Sequence, residues 1–238
     1  MKTKAIIFDK DGTLLDFDSF WVSISYKAIE DILAAVKVEH DLTEEILSSL
    51  GVKKRITDIN GVLCKGTYTQ MGQVIYGVLK KYGCDVTEEE VIRLTVEAYH
   101  RNSKEGIVKP TCENIFGVLS RLKEHGIKLA VVTTDDAFVT KKCLEALGID
   151  TLFDAVYTDD GIYPAKPDAY CIHDFCEKQG LLKSEVVMVG DTLTDVRFAR
   201  NGGIKIVGVA KSDTNRSLLD TEADVVVPDI SYLPEVLE

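Results

Sequence analysis

The sequence predicts a doubly wound α/β fold, Rossmann-like, with a helical domain inserted after its first strand. Three observations carry that expectation. Short apolar runs rich in β-branched residues recur at residues 4–8, 128–132, 186–189, 204–209 and 224–227, helical patterns separate the later runs, and residues 17–107 show helical signals without a convincing strand. The runs are brief and almost continuously apolar, as strands covered on both faces of a parallel sheet should be. Residues 112–124 carry Ile115, Val118, Leu119 and Leu122 at helical spacing with Thr111 in the capping position, and residues 136–147 end on Gly148. In the inserted stretch Trp21, Ile24, Ser25, Ala28, Ile29, Ile32 and Val36 share one helical face. Thr87 and Glu90 make a capping box ahead of Val91, Leu94 and Ala98. The expected domains are a core of residues 1–16 and 108–238 and a cap of residues 17–107, with hinges near Asp16 and Val108.

Composition narrows the class. With 238 residues, 45% hydrophobic and 28% charged, the chain has enough apolar surface to bury a substantial core. Its formal charge of −11 repels polyanions, which argues against a nucleic-acid or anionic-membrane partner and means that a small anionic ligand needs a local cation. No run approaches the roughly 18 apolar residues of a membrane span, and the apolar run at the start is too short for a signal-peptide core. A cytoplasmic location is therefore expected. The six cysteines form no CxxC pair and the four histidines have no zinc-ligand spacing, so the thiols read as reduced.

The chemistry-bearing pattern begins where the first strand runs into Asp9-Lys10-Asp11-Gly12-Thr13. Ligands of open α/β sheets gather at the carboxyl ends of strands, and in extended chain Asp9 and Asp11 share a face while Lys10 takes the other. Two carboxylates about 4 Å apart repel by roughly 4 kcal/mol at an effective dielectric near 20, so a cation or a raised pKa must offset them. Read alone, Asp-x-Asp-Gly is also an ordinary acidic turn. Later strand ends add Thr133 and Thr134 followed by Asp135 and Asp136, which also suit a helix cap; Lys166 before Pro167; and Asp191 with Asp195, an i, i+4 acidic pair whose repulsion a metal would relieve.

Taken in order, these four motifs resemble those of the haloacid dehalogenase superfamily, whose hydrolases join a Rossmann-like core to a mobile cap. The resemblance implies that Asp9 is the nucleophile of a phosphatase forming an aspartyl phosphate, with Asp11 as acid and base. It implies that Thr133, assisted by Thr134, and Lys166 bind phosphate. It further implies Mg2+ held by Asp9, Asp191 and the backbone carbonyl of Asp11, with Asp195 a ligand through water or an orienting group. An aspartate at position 11 favours phosphomonoester chemistry over carbon–halogen cleavage. The later spacing is similar to phosphoglycolate phosphatase-like members, which implies a small phosphorylated metabolite such as phosphoglycolate or a sugar phosphate as substrate. Lys10 departs from the apolar residue common at its position.

Two other readings use the same features. A sugar-phosphate mutase of the β-phosphoglucomutase type shares all four motifs, and a phosphoacceptor receiver is also α/β with acidic strand ends but is about half this length. A P-loop nucleotide binder is not indicated, since no GxxxxGK[ST] run occurs. Within the cap, residues 51–66 set Lys53, Lys54, Arg55 and Lys65 against Asp58, and three glycines make the stretch read as a loop. If this basic island meets the substrate, Arg55 and Lys65 are the expected contacts for an anionic group distal to the phosphate.

Overall fold

The computed structural model describes residues 3–38, 40–58 and 60–237, so the outermost ends of the expected core, at Met1, Lys2 and Glu238, lie outside the described residues. The chain gathers into two compact units, one made of Met1–Asp16 with Val108–Glu238 and the other of Phe17–Ile107. The first unit opens with β1 (Ala5–Phe8). The second contributes α1 (Ser23–Ala35), α2 (Thr43–Leu50), β2 (Val52–Lys53), β3 (Ile56–Thr57), α3 (Val62–Lys65), α4 (Tyr68–Lys81) and α5 (Glu88–Asn102). The first unit then resumes with α6 (Ile115–Glu124), β4 (Lys128–Val132), α7 (Ala137–Ala146), β5 (Ala155–Tyr157), α8 (Tyr170–Gln179) and β6 (Val186–Gly190). It ends with α9 (Leu193–Gly202), β7 (Lys205–Val209), α10 (Asp213–Leu219), β8 (Val225–Val227) and α11 (Leu233–Val236).

In the first unit six parallel strands run in the order β5-β4-β1-β6-β7-β8. Alternation along β1 explains why both faces are covered. Ala5 and Ile7 join a cluster with Ile172 and Phe175 of α8 and Phe198 of α9, whereas Ile6 and Phe8 join one with Leu119 and Leu122 of α6 and Leu233 of α11. β1 is thus buried along its whole length between its neighbours β4 and β6. The chain leaves β1 toward β4 on one side and later crosses to β6 on the other. Its carboxyl end is therefore the switch point at which open α/β sheets make a ligand crevice.

The second unit is mainly helical. Ile24, Ala28 and Ile29 of α1 are buried, and Tyr99 of α5 is fully buried with its hydroxyl donating to Ser25 Oγ at 2.9 Å. The helix expected from Trp21 onward begins as a π-helical turn over Asp18–Val22 before becoming α1.

Four local expectations change. The cap stretch read as strandless and loop-like at residues 51–66 contains the antiparallel hairpin β2–β3 and the single turn α3. The hairpin turn places Lys54 and Arg55 at φ 51° and 62°, a conformation usually signalled by Asn or Gly, so residue types gave no cue. Thr111 does not cap α6; its hydroxyl donates to Thr13 O at 2.6 Å, and Asn114 caps the helix by accepting from Gly117 N at 3.0 Å. Thr87 accepts from Glu90 N at 3.2 Å, but this is one half of the expected capping box at α5. Strand β5, at the sheet edge, was not anticipated, because only its Tyr157 is buried and the apolar run is three residues long. Among the described residues no helix is long and apolar enough to cross a membrane. All six cysteines are free thiols.

Because Ile7 lies at 0% exposure in the central strand, Ile7→Ala should destabilise the protein by about 2–5 kcal/mol in urea unfolding, whereas Val225→Ala at the sheet edge should cost under about 1 kcal/mol.

Candidate active site

The site grows from the carboxyl ends of three adjacent strands. Asp9 follows β1, Thr133 follows β4 and Asp191 follows β6, and the register pairs Phe8 with Val131 on one side and Val189 on the other. The Asp9 N–H donates to Val189 O at 2.8 Å, which continues the β1–β6 pairing one residue beyond the strand and fixes the carboxylate at the crevice. Asp9 is buried.

Lys166 reaches the same place from the segment before α8. Its side chain is 4% exposed, and its ammonium pairs with Asp9 Oδ1 and, at 2.7 Å, with Asp195 Oδ1. Burial works against the lysine charge, yet the two carboxylates together hold its pKa above the ordinary value. The other oxygen of Asp195 is spent at the start of α9. Thr192 N and Thr192 Oγ1 donate to Asp195 Oδ2 at 3.1 and 2.7 Å, and Thr192 Oγ1 accepts from Asp195 N at 3.3 Å. This reciprocal cap places a fully buried carboxylate at the positive end of a helix.

Asp191 is half-buried beside this pair, and Thr13 Oγ1 donates to its Oδ1 at 3.5 Å. Space is so short here that glycine is required twice. A Cβ on Gly12, which adopts φ +80°, would stand 2.0 Å from Asp191 Oδ2, and one on Gly190 would stand 2.5 Å from the Cβ and Cγ of Asp195. Asp9, Asp191 and Asp195 each offer a carboxylate oxygen within 4.8 Å of the others. Burial pushes the Asp9 carboxyl up to about 7; Lys166 opposes this, and Asp195 and Asp11 add repulsion. Asp191 is likewise raised well above its usual value, by burial and then by Asp9 and Asp195. Three clustered carboxylates against one lysine leave a deficit of positive charge, and the donors are all oxygen. The residues fit a hard divalent cation.

A second charged group lies alongside. Lys10, fully buried, extends its ammonium to Asp11 Oδ2 at 2.6 Å and Asp135 Oδ2 at 2.7 Å. The sequence offers Asp135 and Asp136 as helix caps; the capping is done by Asp136, which accepts from Val139 N at 2.8 Å. No residue type marks a long-range partner for Lys10, so the pairing was not legible. Thr133 is buried, with its hydroxyl accepting from Asp135 N at 3.2 Å, while Thr134 is exposed. Asp16 is paired with Lys211 at 3.0 Å.

Within the second unit, Arg55 lies exposed with its guanidinium 4.6 Å from the centre of the Tyr26 ring. Lys65, also exposed, donates to Asn60 Oδ1 at 2.5 Å and borders an open depression of about 460 Å3 that Gly61, Gln70 and Gln73 also line.

Comparison with known proteins agrees with this architecture. The chain is 28% identical over 231 residues to a phosphoglycolate phosphatase of Agrobacterium fabrum, covering 97% of this chain and 91% of that one. It is 27% identical over 211 residues to a pyrophosphatase of Bacillus velezensis, covering 88% and 84%. A Haemophilus somnus crystal structure, whose assignment as a phosphoglycolate phosphatase is itself a prediction, superposes with a TM-score of 0.76 at 23% identity over 100% of this chain and 99% of that one, a likeness of fold. The description of the haloacid dehalogenase-like hydrolase family matches residues 3–203, and the chain belongs to that family of hydrolases.

Proposed function

We propose that this hydrolase is a Mg2+-dependent phosphatase that acts on a small phosphomonoester through an aspartyl phosphate on Asp9. The observation that carries the reading is the pairing of Asp9 with a buried lysine, Lys166, within a cluster of carboxylates at the sheet's switch point.

Asp9 and Asp191, with the backbone carbonyl of Asp11, are the groups that would hold the metal. The ion, when bound, would supply the positive charge that lets an anionic carboxylate meet an anionic phosphate. Both oxygens of Asp195 are already engaged, one by Lys166 and one by the start of α9, which supports an orienting role for it over direct ligation. Lys166 would bind a phosphate oxygen and Thr133 would donate its hydroxyl to another, with Thr134 beside it. Asp9 attacks phosphorus in line, forming its Oδ–P bond as the bond to the leaving oxygen breaks. Asp11 gives its proton to that oxygen, then as carboxylate takes one from the water that frees Asp9.

Residues 17–107 would act as the cap over this chemistry. The relatives named above include a phosphoglycolate phosphatase and a pyrophosphatase, whose named substrates both carry a second anionic group beyond the phosphate under attack. That shared feature supports Arg55 and Lys65 as contacts for a distal anion.

Treatment with EDTA should abolish phosphomonoester hydrolysis, and Mg2+ but not Ca2+ should restore it, because the looser coordination of Ca2+ favours bidentate carboxylates and spoils the attack geometry of Asp9. Full activity in chelator would remove the metal from the mechanism. Removing the charge at Arg55 or Lys65 should raise KM for 2-phosphoglycolate several-fold while leaving hydrolysis of p-nitrophenyl phosphate nearly unchanged. Equal effects on both substrates would return these residues to the solvated surface.

A further inference from the structure

We propose that Lys10 and Asp135 are positioning residues for Asp11, holding its carboxyl in the orientation that proton transfer requires. The inference rests on the acid–base role proposed above for Asp11 and names what fixes it.

Lys10 is unusual on physical grounds. A lysine is almost never fully buried unless paired. Here the whole side chain is at 0% exposure, and its ammonium lies 2.6 Å from Asp11 Oδ2 and 2.7 Å from Asp135 Oδ2. Such a bridge is a poor route to stability, since apolar residues of similar volume often serve as well; its contribution is a defined geometry. Each end is anchored. Asp135 N donates to Thr133 Oγ1 at 3.2 Å, and Asp135 O accepts from Asp159 N at 2.8 Å, so the loop after β4 is held on both sides of the carboxylate. On the Asp11 side, Lys10 O accepts from Leu14 N and Leu15 N, both at 2.9 Å, and Gly12 N donates to Leu15 O at 2.7 Å, which closes the turn around Asp11.

A carboxyl on a turn has two soft torsions, and a proton donor misplaced by about 1 Å can lose on the order of 100-fold in rate. The Lys10 ammonium stands 2.6 Å from one oxygen of Asp11 and so narrows the orientations that the carboxyl can take. The bridge also ties the loop after β1 to the loop after β4, the two loops that carry the proposed acid and the proposed phosphate donor Thr133. A fully buried lysine between two aspartates thereby becomes part of the reaction geometry.

Leaving-group dependence separates positioning from a merely structural role. Breaking the bond to an alkoxide needs the Asp11 proton, whereas p-nitrophenolate leaves with little help. The experiment measures kcat/KM, which reports the phosphorylation step, for 2-phosphoglycolate and p-nitrophenyl phosphate with Lys10→Met, Asp135→Asn and Asp11→Asn. Lys10→Met should lower the value for 2-phosphoglycolate by about 10- to 100-fold and that for p-nitrophenyl phosphate by less than about 3-fold. Asp135→Asn keeps Lys10 paired with Asp11, should fold even if Lys10→Met does not, and should show the same selectivity with a smaller loss. Equal losses on both esters, or no loss on either, would overturn the inference. The control locates the failure: if Asp11→Asn itself treats the two esters alike, the acid–base reading of Asp11 fails and the inference with it; if Asp11→Asn separates them and the other variants do not, the inference alone fails.

Discussion

The structure turns on keeping several carboxylates together in a buried space with too little positive charge. Asp9, Asp191 and Asp195 converge within 4.8 Å, and Asp11 stands close enough to add to the proton affinity of Asp9. Left uncompensated in a low-dielectric setting, this arrangement would cost several kcal/mol in repulsion and desolvation. Two buried lysines divide the load. Lys166 takes Asp9 and Asp195, and Lys10 takes Asp11 and Asp135. Asp191 is left with the hydroxyl of Thr13 and the place where a hard cation would complete the balance.

Much of the surrounding fold serves that concentration of charge. The parallel sheet brings three loop starts side by side, the first turn of α9 absorbs one oxygen of Asp195, and Gly12 and Gly190 leave out the two Cβ atoms that would collide with Asp191 and Asp195. Apolar clusters on both faces of β1 hold that strand in place beneath the site. A rigid platform is the condition for placing like charges at fixed separations.

Sequence periodicity exposed the platform well and the charge partition poorly. The apolar runs located β1, β4, β6, β7 and β8 within a residue or so, because strands buried on both faces leave a continuous signature. The edge strand β5 and the hairpin β2–β3 are short and half-exposed, and Lys54 and Arg55 occupy left-handed backbone without the usual residue types. The order of Asp9, Asp11, Thr133, Lys166, Asp191 and Asp195 along the chain was enough to suggest one crevice. The partner of Lys10, by contrast, stands in a loop 125 positions later, and nothing local distinguishes an ion-paired Asp135 from a helix-capping one. Long-range charge pairing is decided by topology, which a single sequence encodes only indirectly.

The central claim is that Asp9 forms the covalent bond to phosphorus. Rapid quenching of the Mg2+-loaded enzyme during turnover of a phosphomonoester, followed by peptide mapping, tests it most directly. The account predicts a phosphoryl adduct on the peptide carrying Asp9, labile to alkali and to hydroxylamine as an acyl phosphate should be, and absent in Asp9→Asn. Turnover by Asp9→Asn at more than a few per cent of the native rate, or an adduct on any other residue, would contradict it.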